Sequence, residues 1–173
     1  MKYIIVATLA YLAYSPISYA NCLPPMQTLF ECTFEDTDTR VEFCHEVLEE
    51  STANASSKPG DSQSYSLARG TAPTELYFTP TTTFFHTIEA SAIDKKIYGK
   101  GTKKFLVTGY QNVDYIYAAF LGVSDNLYDG FYGAEVRVFK NTDDFWKMQT
   151  GSEVARLFCR ADSVIVDQYE FRP

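Results

Sequence analysis

The sequence contains little histidine, and its cysteines lack the spacing of a metal site. His45 and His86 are the only histidines among 173 residues. A catalytic triad needs a nucleophile, a base and an orienting group, and neither histidine has a nucleophile elbow or a free cysteine to act with. No Cys-x-x-Cys pair occurs, and the adjacent side chains of Cys44 and His45 would diverge on a strand. The sequence therefore predicts neither a catalytic histidine nor a metal site.

Long hydrophobic runs are also lacking, apart from one short run near the N-terminus. This run covers residues 3–13, and a spanning helix needs roughly 20 residues. The small residues Ser18 and Ala20 stand at the −3 and −1 positions of a secretory cleavage site. We therefore expect residues 1–20 to form a signal peptide and the exported chain to begin at Asn21.

Basic residues are in deficit. The chain carries 15 Lys and Arg against 22 Asp and Glu, and only one basic residue, Lys2, lies within residues 1–20. The remaining 153 residues thus carry 14 basic and 22 acidic groups, a net charge of −8. Such a surface repels phosphate backbones and anionic membranes, so a basic protein is the partner that the charge favours.

The four cysteines predict disulfides. Cys22, Cys32, Cys44 and Cys159 form an even set in an exported chain, which predicts two bridges with three possible connectivities. Cys159 must pair with one of the three N-terminal cysteines across more than a hundred residues. Cys32 and Cys44 lie on predicted strands, which favours either of them over Cys22.

Short alternating segments separated by turn residues dominate the rest of the chain. They are rich in aromatic residues, with 13 Tyr and 13 Phe in total. This pattern predicts a mainly β fold, an antiparallel sandwich or a small open barrel with one or two short helices. The expected strands cover residues 29–34, 40–44, 65–69, 75–78, 105–108, 113–121, 134–139 and 153–159, with a possible edge strand at 163–166.

The connections between these strands complete a single β domain over residues 21–173. Residues 51–64 have no apolar periodicity and predict a mobile surface loop. Residues 109–112 are the expected turn of the hairpin whose strands are 105–108 and 113–121. Asn141, followed by acidic residues, predicts the N-cap of a short helix that runs to Gln149.

An aromatic and acidic segment near residue 130 is the predicted site of partner binding. It carries Asp125, Tyr128, Asp129, Phe131 and Tyr132. Aromatic anchors supply much of the energy at protein interfaces, and the carboxylates would meet a basic partner. The alternative is that Tyr128 and Phe131 pack back into the core.

Three polar residues at the preceding hairpin tip, Gln111, Asn112 and Asp114, are candidates to extend this recognition surface. Two carboxyl groups can cleave a glycosidic bond, so pairs of acidic residues are further candidates for a site. Glu31, Glu42, Glu75 and Glu135 lie on predicted strands, where alternation places most of them toward solvent. No pair stands out, so the sequence predicts no enzyme and no cofactor.

The order of these segments resembles a known group of proteins. Phe30-Glu31-Cys32 is followed by the return strand Val41-Glu42-Phe43-Cys44, by the hairpin over 105–117, and by a last strand that ends in Cys159. This order is similar to that of a loosely defined, largely uncharacterised group of small exported bacterial β proteins. In architecture the chain also resembles periplasmic lysozyme inhibitors and envelope immunity proteins. It lacks the Ser-Gly-containing loop that those inhibitors share.

The resemblance implies a periplasmic or secreted binding protein without a membrane span after processing. Its function would be to inhibit or neutralise another envelope protein, such as a cell-wall-degrading enzyme or a toxin. Two alternatives from other classes are a β-barrel carrier of a small molecule, which would need an internal apolar cavity, and a structural envelope component. A carboxylate hydrolase would need two acids in a cleft, at least one of them with a raised pKa.

Overall fold

A computed structural model describes residues 22–46, 63–89, 104–123, 131–148 and 151–167; for Phe131 and Tyr132 it describes the backbone. Within these ranges the chain forms ten strands, one short α-helix and one 3₁₀ turn. In chain order they are β1 Met26–Thr33, β2 Thr39–Glu46, β3 Gln63–Arg69, β4 Thr74–Phe78, β5 Thr82–Glu89, β6 Lys104–Asn112, β7 Tyr115–Val123, β8 Phe131–Phe139, α1 Thr142–Lys147, β9 Ala155–Phe158, a 3₁₀ turn Ala161–Ser163 and β10 Ile165–Val166.

The strands form two five-stranded antiparallel sheets. The first has the order β10-β1-β2-β3-β4, and the second has the order β5-β6-β7-β8-β9. The two sheets remain separate and do not close on each other, so the mainly β prediction is confirmed in its sandwich form. The predicted loop over 51–64 is too long by two residues, because Gln63 and Ser64 belong to β3; residues 51–62 lie outside the described ranges.

Aromatic side chains fill the space between the two sheets. The rings of Phe43 on β2 and Tyr110 on β6 have centroids 5.0 Å apart, and those of Tyr65 and Tyr117 are 4.9 Å apart. Alternation explains this core, since every second residue of a strand points to the same face. The buried residues of this cluster are Leu29, Phe30, Cys32, Phe34, Val41, Phe43, Tyr65, Phe78, Leu106, Tyr110, Ala119, Leu121, Val123, Ala134, Val136 and Cys159.

A second hydrophobic cluster lies on the outer face of the second sheet, under α1. Phe145 and Met148 are buried there against strand residues such as Ile116. Asn141 caps the helix as predicted, because its Oδ1 accepts a hydrogen bond of 2.8 Å from the Asp144 amide. The helix ends at Lys147, two residues earlier than predicted, because Met148 adopts a left-handed conformation with φ of +46°.

Two disulfides are present, as the sequence predicted. Cys22 bonds to Cys44, and Cys32 bonds to Cys159 across 127 residues. The second bond joins the two sheets at one side of the sandwich, where Cys159 also forms an isolated bridge with Phe34. Of the two partners that the sequence favoured for Cys159, the structure therefore selects Cys32.

The turn of the β6–β7 hairpin lies later than predicted. Gly109 and Tyr110 belong to the interior of β6, and the strands meet at the pair Asn112 and Tyr115. Gly109 lets the helix pack closely on the strand, because an added Cβ would lie 3.1 Å from the Phe145 ring. Glycine at this position allows the helix to lie close to β6 and does not mark a turn.

Candidate functional site

The predicted partner-binding segment lies mostly outside the described residues. This applies to Asp125, Tyr128 and Asp129. Phe131 and Tyr132 are the first residues of β8, and the backbone of Phe131 pairs with Val123. The strand therefore begins inside the segment that the sequence assigned to a loop. The binding role of these five residues remains a prediction.

The hairpin tip and Phe131 lie at opposite ends of the second sheet. Strand β7 starts beside the tip, where Tyr115 pairs with Asn112, and ends where Val123 pairs with Phe131. The nine residues of β7 span roughly 27 Å at about 3.3 Å per residue. One sheet length therefore separates Gln111 and its neighbours from the backbone of Phe131. The expectation that they extend the recognition surface stays a prediction, because residues 124–130 lie outside the described ranges.

The hairpin tip itself has an unusual backbone. Val113 and Asp114 form a two-residue turn, and Val113 has φ of +52°. Of these two residues only Val113 has a positive φ. In type II′ hairpin turns, a positive φ at the first central position is normally supplied by glycine. A β-branched residue in this region is an outlier that costs of order 1–3 kcal/mol.

The tip also exposes apolar surface. Val113 is 72 % exposed, the largest fraction among the exposed large hydrophobic residues of the described ranges, and Tyr115 is 42 % exposed beside it. The Gln111 side-chain amide donates a hydrogen bond of 3.1 Å to the Val113 carbonyl oxygen and so closes the turn. A strained and solvent-facing valine is poorly explained by turn formation, which glycine or asparagine would achieve at lower cost.

The sandwich holds this tip firmly. The Thr81 amide donates a hydrogen bond of 2.9 Å to the Gln111 carbonyl oxygen at the base of the tip. Tyr110, one residue earlier, is fully buried and its hydroxyl donates to the Cys44 carbonyl oxygen of the first sheet. Ile116, just beyond the turn, is also fully buried. The exposed residues of the tip are therefore presented by a rigid base.

A second notable region lies on the outer face of the first sheet, around Glu42. Glu42 alternates with the core residues Val41 and Phe43, so it points away from the core, yet it is only 1 % exposed. The Thr28 hydroxyl donates a hydrogen bond of 2.8 Å to its Oε1. Burial raises the pKa of Glu42 above its usual range. Alternation was expected to place most of the four strand glutamates toward solvent, and Glu42 does not follow that expectation.

The glutamate directly opposite Glu42 on β1 is already paired. Glu31 is its cross-strand neighbour, and Arg40 contacts both carboxylate oxygens of Glu31 at 2.8 Å. These two carboxyl groups provide the number of acids that a hydrolase needs. However, Glu31 is held by the Arg40 guanidinium group, and Glu42 is buried.

Cys22, Cys44 and Glu42 form the cluster of metal-ligand types within the described residues. Their ligand atoms lie within 4.8 Å of one another. Both sulfur atoms, however, belong to the same disulfide. Metals bind the thiolate form of cysteine, so in the oxidised protein only the Glu42 carboxylate remains as a strong ligand.

A third charged group is buried on the outer face of the second sheet. Glu135 accepts hydrogen bonds from Arg137, at 2.7 Å from its Nε, and from Arg156, also at 2.7 Å from its Nε. The Arg137 guanidinium lies 4.6 Å from the centre of the Phe120 ring. Glu135, which is 1 % exposed, also departs from the expectation that most of the four strand glutamates face solvent. Its two arginines explain how the carboxylate is stabilised there.

The two histidines have surroundings that fit structural roles. His45 is buried, and its Nε2 lies 3.7 Å from Oδ2 of Asp167. His86 packs edge-on against Trp146, with ring centroids 5.5 Å apart. Neither arrangement includes a side-chain nucleophile in the contacts described.

None of the helices within the described ranges has the length and apolar character required to cross a membrane. Comparisons of the chain with protein-family models, with curated proteins and with solved structures found no match. Two features of the described residues are therefore the candidates for a functional site: the strained apolar hairpin tip at Val113 and the buried carboxyl group of Glu42.

Proposed function

We propose that this chain is an exported binding protein that inhibits or neutralises another protein of the bacterial envelope. The partner is a peptidoglycan-cleaving enzyme or a toxin, and the β6–β7 hairpin tip is the contact surface. The observation that carries the proposal is the conformation of Val113, which has φ of +52° and 72 % exposure. Strain that the fold itself does not need is a mark of functional positions.

The composition of the tip suits a protein partner. Val113 and Tyr115 supply apolar contact area, and aromatic side chains are enriched among the residues that dominate binding energy. Asp114, between them, supplies a carboxylate for a cationic group. Because the tip rests on buried residues at both sides, little conformational freedom is lost when it binds.

The charge of the exported chain favours the same class of partner. A net charge of −8 over residues 21–173 attracts a basic protein and raises the rate of encounter at low salt. Enzymes that cleave the cell wall are often basic, because their substrate carries negative charge. Association should therefore slow as the ionic strength rises.

The two disulfides indicate an oxidising compartment outside the cytoplasm. We place the protein in the periplasm, where the predicted signal peptide would deliver it. A small-molecule carrier built as a closed barrel receives no support, because the strands form two separate sheets and aromatic side chains occupy the space between them.

The test is an inhibition assay with purified enzymes. The oxidised protein is added to a panel of basic peptidoglycan-cleaving enzymes, and the clearing of a cell-wall suspension is followed by turbidity. We expect stoichiometric inhibition of at least one enzyme class by the wild type and loss of that inhibition in Val113→Gly. If Tyr128→Ala and Phe131→Ala lose inhibition while Val113→Gly retains it, the contact belongs to the predicted segment and not to the tip. If no enzyme of the panel is bound or inhibited, the enzyme-inhibitor form of the proposal is overturned.

A further inference from the structure

The disulfide between Cys22 and Cys44 lies directly beside the buried carboxyl group of Glu42. Sγ of Cys22 is 3.3 Å from Oε1 of Glu42, and the two sulfur atoms and a carboxylate oxygen all lie within 4.8 Å of one another. The bond between Cys32 and Cys159 belongs to no such group within the described ranges. The two disulfides therefore have different chemical surroundings, and a carboxylate adjoins only the first.

Glu42 has capacity for a further ligand. Its Oε1 accepts a hydrogen bond from Thr28, whereas Oε2 is buried and has no hydrogen-bond partner among the described residues. The hydroxyl of Ser66, the cross-strand neighbour of Glu42 on β3, is buried without a partner in the same way. The cation two residues before Glu42, Arg40, is engaged by Glu31. A buried carboxylate in this state is costly unless a cation or a donor reaches it.

The spacing of these atoms suits a zinc ion once the sulfur atoms are thiolates. Zinc holds thiolate sulfur at about 2.3 Å and carboxylate oxygen at about 2.1 Å in a tetrahedral arrangement. Two such ligands are roughly 3.6 Å apart when one is sulfur and one oxygen, and roughly 3.8 Å apart when both are sulfur. The distance from Cys22 to Glu42 is already close to the first value. The Cα atoms of Cys22 and Cys44 are 5.6 Å apart, so rotation of the two side chains can bring the sulfur atoms to the second.

Cys22 is also the most accessible of the four cysteines. It is half-buried, whereas Cys32, Cys44 and Cys159 are at most 5 % exposed. A disulfide opens when a thiolate attacks one of its sulfur atoms, so the rate depends on access to that sulfur. A dithiol should therefore open the bond of Cys22 before it opens the bond between Cys32 and Cys159.

We propose that Cys22, Cys44 and Glu42 form a zinc site in the reduced protein, so that a disulfide and a bound zinc ion are alternative states of one position. The reductant is a dithiol. Its first thiolate attacks Cys22 and displaces Cys44, its second thiol then displaces Cys22, and the dithiol leaves as a disulfide after giving up two electrons. Zinc binds the two thiolates, and two protons pass to solvent.

The residues of the site have different roles. Cys22 and Cys44 supply soft thiolate ligands, and Glu42 supplies a third, oxygen ligand, a mixture that suits zinc. The Thr28 hydroxyl, 2.8 Å from Oε1, orients the carboxylate. Without a metal, opening the bond would bring thiolates next to a buried carboxylate, and their repulsion disfavours the reduced state. Zinc removes this repulsion, so it should promote reduction, and reoxidation of the two thiolates should release it. This inference is independent of the hairpin tip.

The experiment measures zinc binding by the folded protein in both redox states. The protein is reduced briefly with dithiothreitol, which is then removed by gel filtration without oxygen. Alkylation and peptide mapping identify the opened bond, which we expect to be that of Cys22 and Cys44. Zinc affinity is measured by competition with a chromogenic chelator. The test variant is Glu42→Gln, and Glu75→Gln is the matched control because it removes an exposed carboxylate from the edge of the same sheet.

We expect the reduced wild type and reduced Glu75→Gln to bind one zinc ion per chain, and the oxidised protein to bind none. Affinity should be at least about tenfold weaker in reduced Glu42→Gln. The double variant Cys22→Ser with Cys44→Ser, treated in the same way, should bind none, which tests whether Cys32 and Cys159 contribute.

Urea denaturation separates a folded site from binding by an unfolded chain. Zinc should raise the urea midpoint of the reduced wild type, because the ion binds the folded state, and should raise that of Glu42→Gln less. The proposal would be overturned if the reduced wild type bound no zinc, if Glu42→Gln bound it equally well, or if zinc lowered the midpoint. Opening of the bond between Cys32 and Cys159 first would also contradict it. None of these results would affect the enzyme-inhibition assay.

Discussion

The hydroxyl group of Tyr110, on the second sheet, donates a hydrogen bond of 2.9 Å to the carbonyl oxygen of Cys44, on the first sheet. Both residues are buried, and burial raises the pKa of Tyr110, so its hydroxyl remains a donor at neutral pH. Cys44 is in turn bonded to Cys22. One contact thereby links the base of the hairpin tip to the region around Glu42.

Replacing Tyr110 by Phe should destabilise the protein by about 1–3 kcal/mol. The ring would still fill its place in the core, but the Cys44 carbonyl oxygen would lose a buried donor. Urea denaturation at pH 7 measures this change. Tyr115→Phe is the control, because Tyr115 is 42 % exposed and its hydroxyl should matter little. Equal stability of the two variants would show that the contact between the sheets contributes nothing.

The two disulfides should differ in their contribution to stability. In the chain-entropy account, a bond that closes 127 residues contributes about 4.9 kcal/mol, and one that closes 22 residues contributes about 3.4 kcal/mol. We therefore expect Cys32→Ser with Cys159→Ser to lose about 1.5 kcal/mol more than Cys22→Ser with Cys44→Ser. Denaturation of the two double variants tests this order. The reverse order would mean that the Cys22 bond stabilises the folded state by further contacts, those with Glu42 among them.

Gly109 and Gly133 should respond in opposite ways to substitution by alanine. At Gly109 the new Cβ would meet the Phe145 ring at 3.1 Å and Ile116 at 3.2 Å, which should cost about 1–3 kcal/mol. At Gly133 nothing lies within 4 Å, so alanine should be neutral or stabilise β8 by up to ~1 kcal/mol. The fluorescence of Trp146, the single tryptophan, should change in Gly109→Ala, since its ring packs on Phe145. Unchanged stability and fluorescence in that variant would contradict the position of the helix.

The stability of the protein should depend on pH through Glu42. Burial raises the pKa of Glu42 in the folded state above the value of 4.5 for an unperturbed glutamate. Between these two pKa values the folded state binds more protons than the unfolded state, so stability falls as the pH rises through this window. Glu42→Gln removes this dependence and should gain on the wild type as the pH rises above 4.5. Urea midpoints at each pH measure the difference, and parallel profiles would be the contrary result.

The strand pattern of this chain was predictable, and its turns and buried charges were less so. Apolar and polar residues alternate in Ala134 to Phe139 and in Arg40 to Cys44, which predicts a strand with one apolar face. Both segments are strands in the structure. Glycine has several uses, however. At Gly109 it allows close packing of the helix, whereas the sequence pattern alone favours a turn.

Burial of Glu42 and Glu135 could not be predicted from alternation. A polar residue between apolar ones indicates only that it faces away from the core. Whether that outer face is covered depends on distant residues, such as Cys22 for Glu42 and Arg156 for Glu135. The sequence did not predict the turn at Val113, because a β-branched residue is not expected at a positive φ.

The most direct test of the binding proposal is to measure the stability and the inhibitory activity of Val113→Gly together. Glycine relieves the positive φ, but it also raises the conformational entropy of the unfolded chain, so the variant should be at least as stable as the wild type, by up to ~1 kcal/mol. Because the exposed side chain is removed, the variant should no longer inhibit the enzyme identified in the panel. Val154→Gly is the matched control, because Val154 is also exposed, at 58 %, and lacks the positive φ. It should lose a little stability and keep its activity. Full inhibition by Val113→Gly would contradict the assignment of the hairpin tip as the contact surface.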